Sequence, residues 1–352
     1  MNDQPTRYRE IEVRGTPRQL GQQIGEAAKS EIQGFCEVAL QRVNKTIAIS
    51  HDKAMAIARQ CTSLAQSYSS DMVEELDGMA EASGVSLDQL MLLQVRNQFT
   101  AEPESGCTSF SIAASQTASS SALIGQNWDN DPELDPFNVV LKRYPHGKPA
   151  NMTITQAGLI AYIGLSDAGM GVCLNTLPAP SREIGVPHYF TVRGIYESTS
   201  LEEAVQAVRR ANRAVPANIM LATPQGPFDL EVTIDDVHVL GTDESVVTHT
   251  NHCLHPDLLA INQDFPELIE SGPRKSRIDD RLQSADQLDL QSLQSALSDH
   301  DNHPRSICRH PNEDPTTGFW TSVFSVVLDT TNSTMHVTRG TPCDHPYEEY
   351  KL

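Results

Sequence analysis

The spacing of apolar positions changes once, sharply, near residue 107. Before it, apolar residues recur at helical intervals. Leu20, Ile24, Ala27 and Ile32 follow Thr16-Pro17, a capping residue and a first-turn proline. A second helical stretch runs from about Lys53 to Tyr68, and a third from Ser70 to Ser83-Gly84, where glycine supplies the left-handed stop. A fourth opens at Ser86 with Gln89 three residues on, a capping box, and carries Leu90 and Leu93. Only Tyr8 to Val13, ahead of these helices, alternates like a strand. From residue 107 the period becomes two. Thr108-Ser109-Phe110-Ser111-Ile112-Ala113 reads as a half-buried strand, Ala114 to Ser121 as a polar connection, and Ala122 to Trp128 as a returning strand. Symmetric pairing about Ala118 places Cys107 opposite Asp129, with Cβ atoms about 5 Å apart.

Short strand patterns follow at Met152 to Gln156, Leu159 to Gly164 and Gly171 to Leu174. A helix starts at Ser200 with Glu203 at the third position, carrying Leu201, Ala204, Val205 and Val208. Phe228, Leu230 and Val232 alternate up to the turn Asp235-Asp236, Val237 and Val239 alternate back, and Val246 to Thr250 ends at Asn251. Two more helices fit Arg274 to Gln283 and Leu290 to Leu297. A last hairpin joins Ser322 to Leu328 with Thr334 to Thr338 through Asn332-Ser333. Helices first and strands in groups between helices predict a layered α+β chain rather than a parallel βαβ series.

Composition narrows the functional classes. The 352 residues carry 26 Lys and Arg against 46 Asp and Glu, a net charge of −20. Such a chain is poorly matched to nucleic acid or to an anionic membrane surface. Met1-Asn2-Asp3-Gln4-Pro5 has neither the basic segment nor the apolar run of a secretory signal, and no apolar run approaches a membrane span. Seven cysteines, odd in number and without C-x-x-C spacing, argue against a disulfide framework. The expectation is a cytoplasmic protein.

Gly106-Cys107 is the first candidate for chemistry. Glycine has no Cβ, so it tolerates an unusual backbone and close approach to its own carbonyl. A thiol one residue later can attack that carbonyl, move the acyl group from nitrogen to sulfur, and let water release a new N-terminus. The new α-amine, with an ordinary pKa of about 8, can then act as base for its own side chain. A second class of candidate is a metal site. His249, His252 and His255 surround Cys253, and His300, His303, Cys308 and His310 follow later; zinc uses such ligands. Pro256 and the strand before Asn251 argue against one helical face for the first trio. Gly164-Leu165-Ser166-Asp167-Ala168 nearly spells a serine elbow but lacks its second glycine. No dinucleotide or Walker glycine pattern is present, so no cofactor is expected.

Taken jointly, Gly106-Cys107-Thr108-Ser109-Phe110 and Gly125-Gln126-Asn127-Trp128-Asp129 resemble the acyl-coenzyme A:isopenicillin-N (6-aminopenicillanic acid) acyltransferase family, which are self-cleaving N-terminal-nucleophile hydrolases. Gly15-x-Pro17 with Leu20-Gly21 and Gly25 resembles the family's opening helix, and Glu75-Leu76-Asp77-Gly78-Met79-Ala80 with Gly84 its helical pre-segment. Gly158-Leu159-Ile160, Ala168-Gly169 and Leu174-Asn175 resemble its central strands, and Gly340-Thr341-Pro342-Cys343 through Tyr350 its tail. The resemblance implies a four-layer αββα sandwich and cleavage between Gly106 and Cys107. It implies a helical small chain, 1–106, and a catalytic large chain, 107–352, which together form one unit as a heterodimer. It makes Cys107 the nucleophile, Asp129 the acid that holds the new amine, Asn251 a donor to the tetrahedral oxyanion, worth about 3 kcal/mol, and Arg309 a cation near the nucleophile. At Ser166 the family is expected to carry asparagine. The reaction implied is transfer of an acyl group from a small-molecule amide or thioester, through acyl-Cys107, to an amine or water. Coenzyme A would enter as a thioester substrate and no metal would be held. The alternatives are an amidohydrolase of small N-acyl or beta-alanyl-type amides and, remotely, a zinc hydrolase built on His249, His252 and His255.

Overall fold

The computed structural model describes residues 5–44, 48–99, 106–264, 271–314 and 318–352. Residues 1–4, on which part of the signal-sequence reading rests, and 100–105, ahead of the expected cleavage point, lie outside the described residues.

The N-terminal part consists of β1 (Glu10–Gly15), α1 (Pro17–Ala27), α2 (Lys29–Val43), α3 (His51–Tyr68), α4 (Ser70–Ser83) and α5 (Leu87–Val95). The predicted caps form: Thr16 and Gln19 make a capping box at α1, Ser86 and Gln89 another at α5, and Gly84 ends α4 in the left-handed conformation. The apolar run from Leu20 to Ile32 is two helices rather than one, broken at Ala28. Helices α1 and α4 cross so closely that a Cβ on Gly21 would overlap the Glu75 carbonyl, and one on Gly78 the Arg18 carbonyl.

The rest of the chain supplies β2 (Cys107–Ile112), β3 (Leu123–Asn130), β4 (Asn138–Pro145), β5 (Asn151–Gln156), β6 (Ile163–Ser166), β7 (Gly171–Asn175), α6 (His188–Tyr196) and α7 (Leu201–Arg209). After these come β8 (Ala217–Thr223), β9 (Gly226–Val232), β10 (Val237–Leu240), β11 (Val246–His249), α8 (Gly272–Gln283), α9 (Leu290–Leu297), β12 (Thr321–Asp329), β13 (Thr334–Thr338) and β14 (Tyr347–Lys351). One sheet has the order β1-β4-β5-β6-β7-β8-β9-β10, and the other β11-β2-β3-β12-β13-β14. Pairing is antiparallel except where β1 lies parallel to β4.

The two sheets face each other, β2 and β3 lying against β7 and β8. Helices α8 and α9 cover the other face of the six-stranded sheet, where Phe110, Ile112, Ile278, Leu293 and Leu297 form a small second core. The helices of the N-terminal part, with α6 and α7, cover the eight-stranded sheet. The architecture is therefore the α+β, four-layer αββα sandwich.

Two strand expectations need correcting. The stretch Leu159 to Gly164 is not one strand. β5 ends at Gln156, Gly158 turns at positive φ, and pairing resumes only at Ile163. Strand β2 is not half-buried but buried on both faces. Its alternation separates two kinds of interior: Phe110 and Ile112 meet α8 and α9, while Ser109 turns to the layer between the sheets and donates to Asn175 Oδ1 at 2.8 Å.

Candidate functional site

The hairpin sets the site, and its register differs by one residue from the symmetric expectation. Cys107 pairs with Trp128, not Asp129. The connection from Ala113 to Ala122 has an even number of residues, so the axis passes through a peptide bond rather than through Ala118. Because directly paired residues share a face, the Cys107 side chain points between the sheets, where Trp128 stacks on Phe324. Asp129 points to the opposite face. Its backbone N–H donates to the Gly106 carbonyl at 3.0 Å. The carboxylate thus flanks the Gly106–Cys107 peptide bond from below, and a Cβ built on Gly106 would lie 3.0 Å from Asp129 Oδ2 and 3.1 Å from Arg309 Nη1. Glycine is needed here for space; its φ is not in the left-handed range.

Each neighbour is held by a different element. Ser322, on β12, donates to Asp129 Oδ1 at 2.6 Å, at a bulge where the β3–β12 register shifts between Ser322 and Phe324. The same hydroxyl accepts from the Arg309 backbone N–H at 3.0 Å, fixing the segment that carries Arg309. Asn251, just past β11, accepts the Cys107 backbone N–H on Oδ1 at 2.8 Å, while its amide donates to the Thr176 carbonyl at 3.1 Å. That amide is thus engaged in this arrangement, and the side chain presents its oxygen, not its nitrogen, to Cys107. Arg274, from the first turn of α8, donates to the Cys107 carbonyl, to Thr108 Oγ1 at 3.1 Å and to Asn251 Oδ1 at 2.9 Å.

Cys107, Asp129, Asn251 and Arg309 therefore converge on one peptide bond. Arg274 and Ser322 join them without having been singled out in the sequence. Arg274 reads there as one cation in the run Arg274-Lys275-Ser276-Arg277, the pattern of a solvated helix face, yet it is buried.

Burial controls the charges. Cys107 is 1% exposed, and its thiol is pushed up to about 12 by burial first and then by the Asp129 charge, against the pull of Arg274. At neutral pH the thiol is thus held in its protonated form. Burial also raises Asp129, to about 6, opposed by Arg274, Arg309 and the Ser322 hydrogen bond. Asp129 Oδ2 has no hydrogen-bond partner among the described residues.

The histidine trio does not assemble. His249 is buried between the sheets with Nε2 on Glu231 at 2.9 Å; His252 turns to Ser271 Oγ at 2.5 Å; His255 lies tilted against His238, with 4.3 Å between ring centres. Burial would lower His249, but the Asp229 and Glu231 carboxylates outweigh it and raise its pKa. Ser166 is the last residue of β6 and leads through a turn into β7, not into the helix of a serine elbow. A cavity of about 550 Å³ opens between β9, β10, β11 and α8, lined by Asp229, Thr248, Lys275 and Asp279; Cys107 does not line it.

Comparison with known proteins places the chain among its relatives. The sequence pattern of the family described as acyl-coenzyme A:6-aminopenicillanic acid acyl-transferase matches residues 116–343, a span that includes Asp129, Asn251 and Arg309 and begins beyond Cys107. The chain is 27% identical over 348 residues to the 40 kDa form of acyl-coenzyme A:6-aminopenicillanic-acid-acyltransferase from Emericella nidulans, covering 97% of this chain and 95% of that one. Among solved structures, penicillin V acylase from Agrobacterium tumefaciens is similar at a TM-score of 0.46 and 11% identity, over 66% of this chain and 82% of that one. A mutant of conjugated bile acid hydrolase from Clostridium perfringens is similar at 0.44 and 11%, over 70% and 97%.

Proposed function

The chain belongs to the acyl-coenzyme A:6-aminopenicillanic acid acyltransferase family, and from that premise we propose a self-processing enzyme that uses Cys107 to transfer acyl groups. The observation that carries this reading is the convergence of Asp129, Asn251, Arg274 and Arg309 on the Gly106–Cys107 bond. In the first reaction Cys107 Sγ bonds to the Gly106 carbonyl carbon. The Asp129 backbone N–H, already on that carbonyl oxygen, stabilises the charge that develops there. The C–N bond breaks, the thiol proton passes to the departing amine, and water hydrolyses the resulting thioester. Asn251 Oδ1, which holds the amide N–H before cleavage, remains as an acceptor for the new α-amine.

In the mature enzyme the α-amine takes the thiol proton, and the thiolate attacks the carbonyl of an amide or thioester. The leaving group departs with a proton and the acyl group rests on Cys107. An amine acceptor completes an acyl transfer, and water completes an amide hydrolysis. Asp129 supplies the negative charge that keeps the amine in place, and Arg274 and Arg309 partly offset the burial that raises its pKa to about 6, so that it is ionised above that pH. The small-molecule donor, a coenzyme A thioester included, would be a substrate and not a resident cofactor. The fragments 1–106 and 107–352 would stay together, in the cytoplasm.

The test is a denaturing gel with intact mass. In proportion to residue number, the 38.6 kDa chain should appear as fragments of roughly 12 and 27 kDa, the larger beginning at Cys107. Cys107→Ala should give one full-length band and no turnover of an acyl thioester. Cleavage that survives that substitution would refute the assignment.

A further inference from the structure

We propose that His300, Cys308, His310 and Cys343 form a structural zinc site of the Cys2His2 type, tying three loops together beside Arg309. One potential ligand atom from each residue lies within 4.8 Å of all the others. His300 comes just after α9, Cys308 and His310 from the segment leading to β12, and Cys343 from the segment after β13. His310 Nε2 stands 3.1 Å from His300 Nε2, 3.3 Å from Cys343 Sγ and 3.6 Å from Cys308 Sγ. With Zn–S near 2.3 Å and Zn–N near 2.0–2.1 Å, the edges of a tetrahedral site measure about 3.3–3.8 Å, so only small shifts admit the ion.

Hydrogen bonding accounts for only part of this cluster: the Cys343 thiol can donate to Asp344 Oδ1 at 3.6 Å, and the contacts at His310 Nε2 compete with one another. An imidazole nitrogen carries either one proton or one lone pair, so His310 Nε2 can satisfy one of its three neighbours. A central cation accepts a lone pair from all four atoms at once. Two thiolates and two imidazoles select zinc over the hard cations that prefer oxygen. Four protein ligands close the coordination shell and leave no position for a water molecule, which makes the site structural rather than hydrolytic. Cys308 is buried, while His300 and Cys343 are exposed, so an ion enters from solvent. The surrounding backbone is already tied: the Cys308 N–H donates to the Asp299 carbonyl at 2.9 Å, and Ser298 Oγ to the Pro342 carbonyl at 3.1 Å.

The position gives the site its consequence. Arg309 sits between two of the ligands, and its guanidinium is the group beside Gly106. Fixing Cys308 and His310 fixes the arginine between them. The other grouping of metal-competent side chains among the described residues, His238, His255 and Asp257, offers only three ligands, one an exposed carboxylate. The zinc proposal stands on these four side chains and does not depend on Cys107 being a nucleophile.

The experiment is elemental analysis of the full chain purified under reducing conditions from zinc-supplemented medium. Cobalt(II) titration of the chelator-stripped protein provides a second readout that needs no variant. The expected results are one zinc per chain and a thiolate-to-cobalt charge-transfer band. Both should be lost in Cys308→Ser/Cys343→Ser and retained in Cys36→Ser, a thiol outside the cluster. Absence of zinc together with absence of the cobalt band in the reduced wild-type chain would overturn the site. So would a band that persists in the double variant, or a Cys308–Cys343 disulfide in a protein that takes up neither metal after reduction.

Discussion

A side chain at position 106 would have to share space with the two groups that flank the bond to Cys107. An alanine Cβ there meets Asp129 Oδ2 and Arg309 Nη1 at 3.0 and 3.1 Å, closer than the carboxylate and guanidinium tolerate without moving. Since the backbone at Gly106 is not left-handed, Gly106→Ala should fold. Self-cleavage should slow by at least about tenfold, or about 1.4 kcal/mol of barrier, in a gel time course of the purified precursor. An unchanged rate would remove the two flanking groups from the reaction. Asp129 makes a second prediction. Its folded pKa, raised to about 6 by burial, lies above the unfolded value. The fold therefore favours the neutral acid: this contribution to stability is complete below pH about 4 and is lost as the pH rises through about 6. In a Cys107→Ala background, which keeps the chain whole, Asp129→Asn should stabilise by about 1–3 kcal/mol at pH 8 and by almost nothing at pH 4. Denaturant unfolding at the two pH values checks this, and equal effects would mean that the buried carboxylate carries no strain. Such a cost is what a site that needs a buried charge would bear. At this scale only Gly106-Cys107 stood out by its own chemistry, while Asp129, Asn251 and Arg309 were singled out by the family resemblance. Arg274 was not, because burial is invisible in a run of basic residues at the start of a helix.

Elements that face two environments can be read from period alone, and those buried on every side cannot. Helix α5 and strand β12 were visible because caps or alternation marked them. Helix α6 was not: Tyr189 to Tyr196 are all buried, so no polar stripe interrupts it. Strand β4 hid for a related reason, with Lys142 and Arg143 inside an otherwise apolar run. Arg143 explains why that position tolerates a cation. It donates to Glu75 Oε1 at 2.8 Å, Glu75 Oε2 accepts from Arg193 at 3.0 Å, and all three side chains are buried. Helix α4, strand β4 and helix α6 meet at that carboxylate. Removing its charge leaves buried Arg143 without a carboxylate and Arg193 with Glu197 alone, at 3.2 Å, a loss typically of about 3–5 kcal/mol for a broken buried pair. Glu75→Gln should lower the free energy of unfolding by that measure without altering the register of the β2–β3 hairpin, so cleavage should persist at low temperature. Loss of cleavage with unchanged stability would instead tie Glu75 to the chemistry. The hairpin itself carries the sharper lesson. A shift of one residue from symmetry moved Asp129 from opposite the thiol to beneath the Gly106–Cys107 bond, and no sequence feature of the Ala113 to Ala122 connection distinguishes the two.

Across the whole molecule, the stretch ahead of Cys107 is built into the fold and is not a detachable leader. Strand β1 is the edge of the eight-stranded sheet, paired parallel to β4 from Glu10↔Val140 to Gly15↔Pro145. The Tyr8 N–H donates to the Tyr350 hydroxyl at 2.7 Å, and the Tyr8 hydroxyl to Asp135 at 2.7 Å, so the two ends of the chain meet. The Gln94 side chain spans to the Gly158 carbonyl at 2.8 Å, and Glu75 holds both arginines of the later segment. Cutting one peptide bond removes none of these contacts, and the buried apolar core is shared by both pieces. The cut protein should therefore elute from a sizing column as one species containing both fragments, and separate only in denaturant. Separate peaks under native conditions would disprove the two-chain arrangement. Because the cut converts folding of one chain into folding of two, unfolding should also become concentration-dependent, the midpoint rising with protein concentration for cut enzyme and staying fixed for the uncut Cys107→Ala chain. That contrast follows if the proposed cut occurs, because the shared sheet and the buried Glu75 cluster join residues on both sides of Cys107.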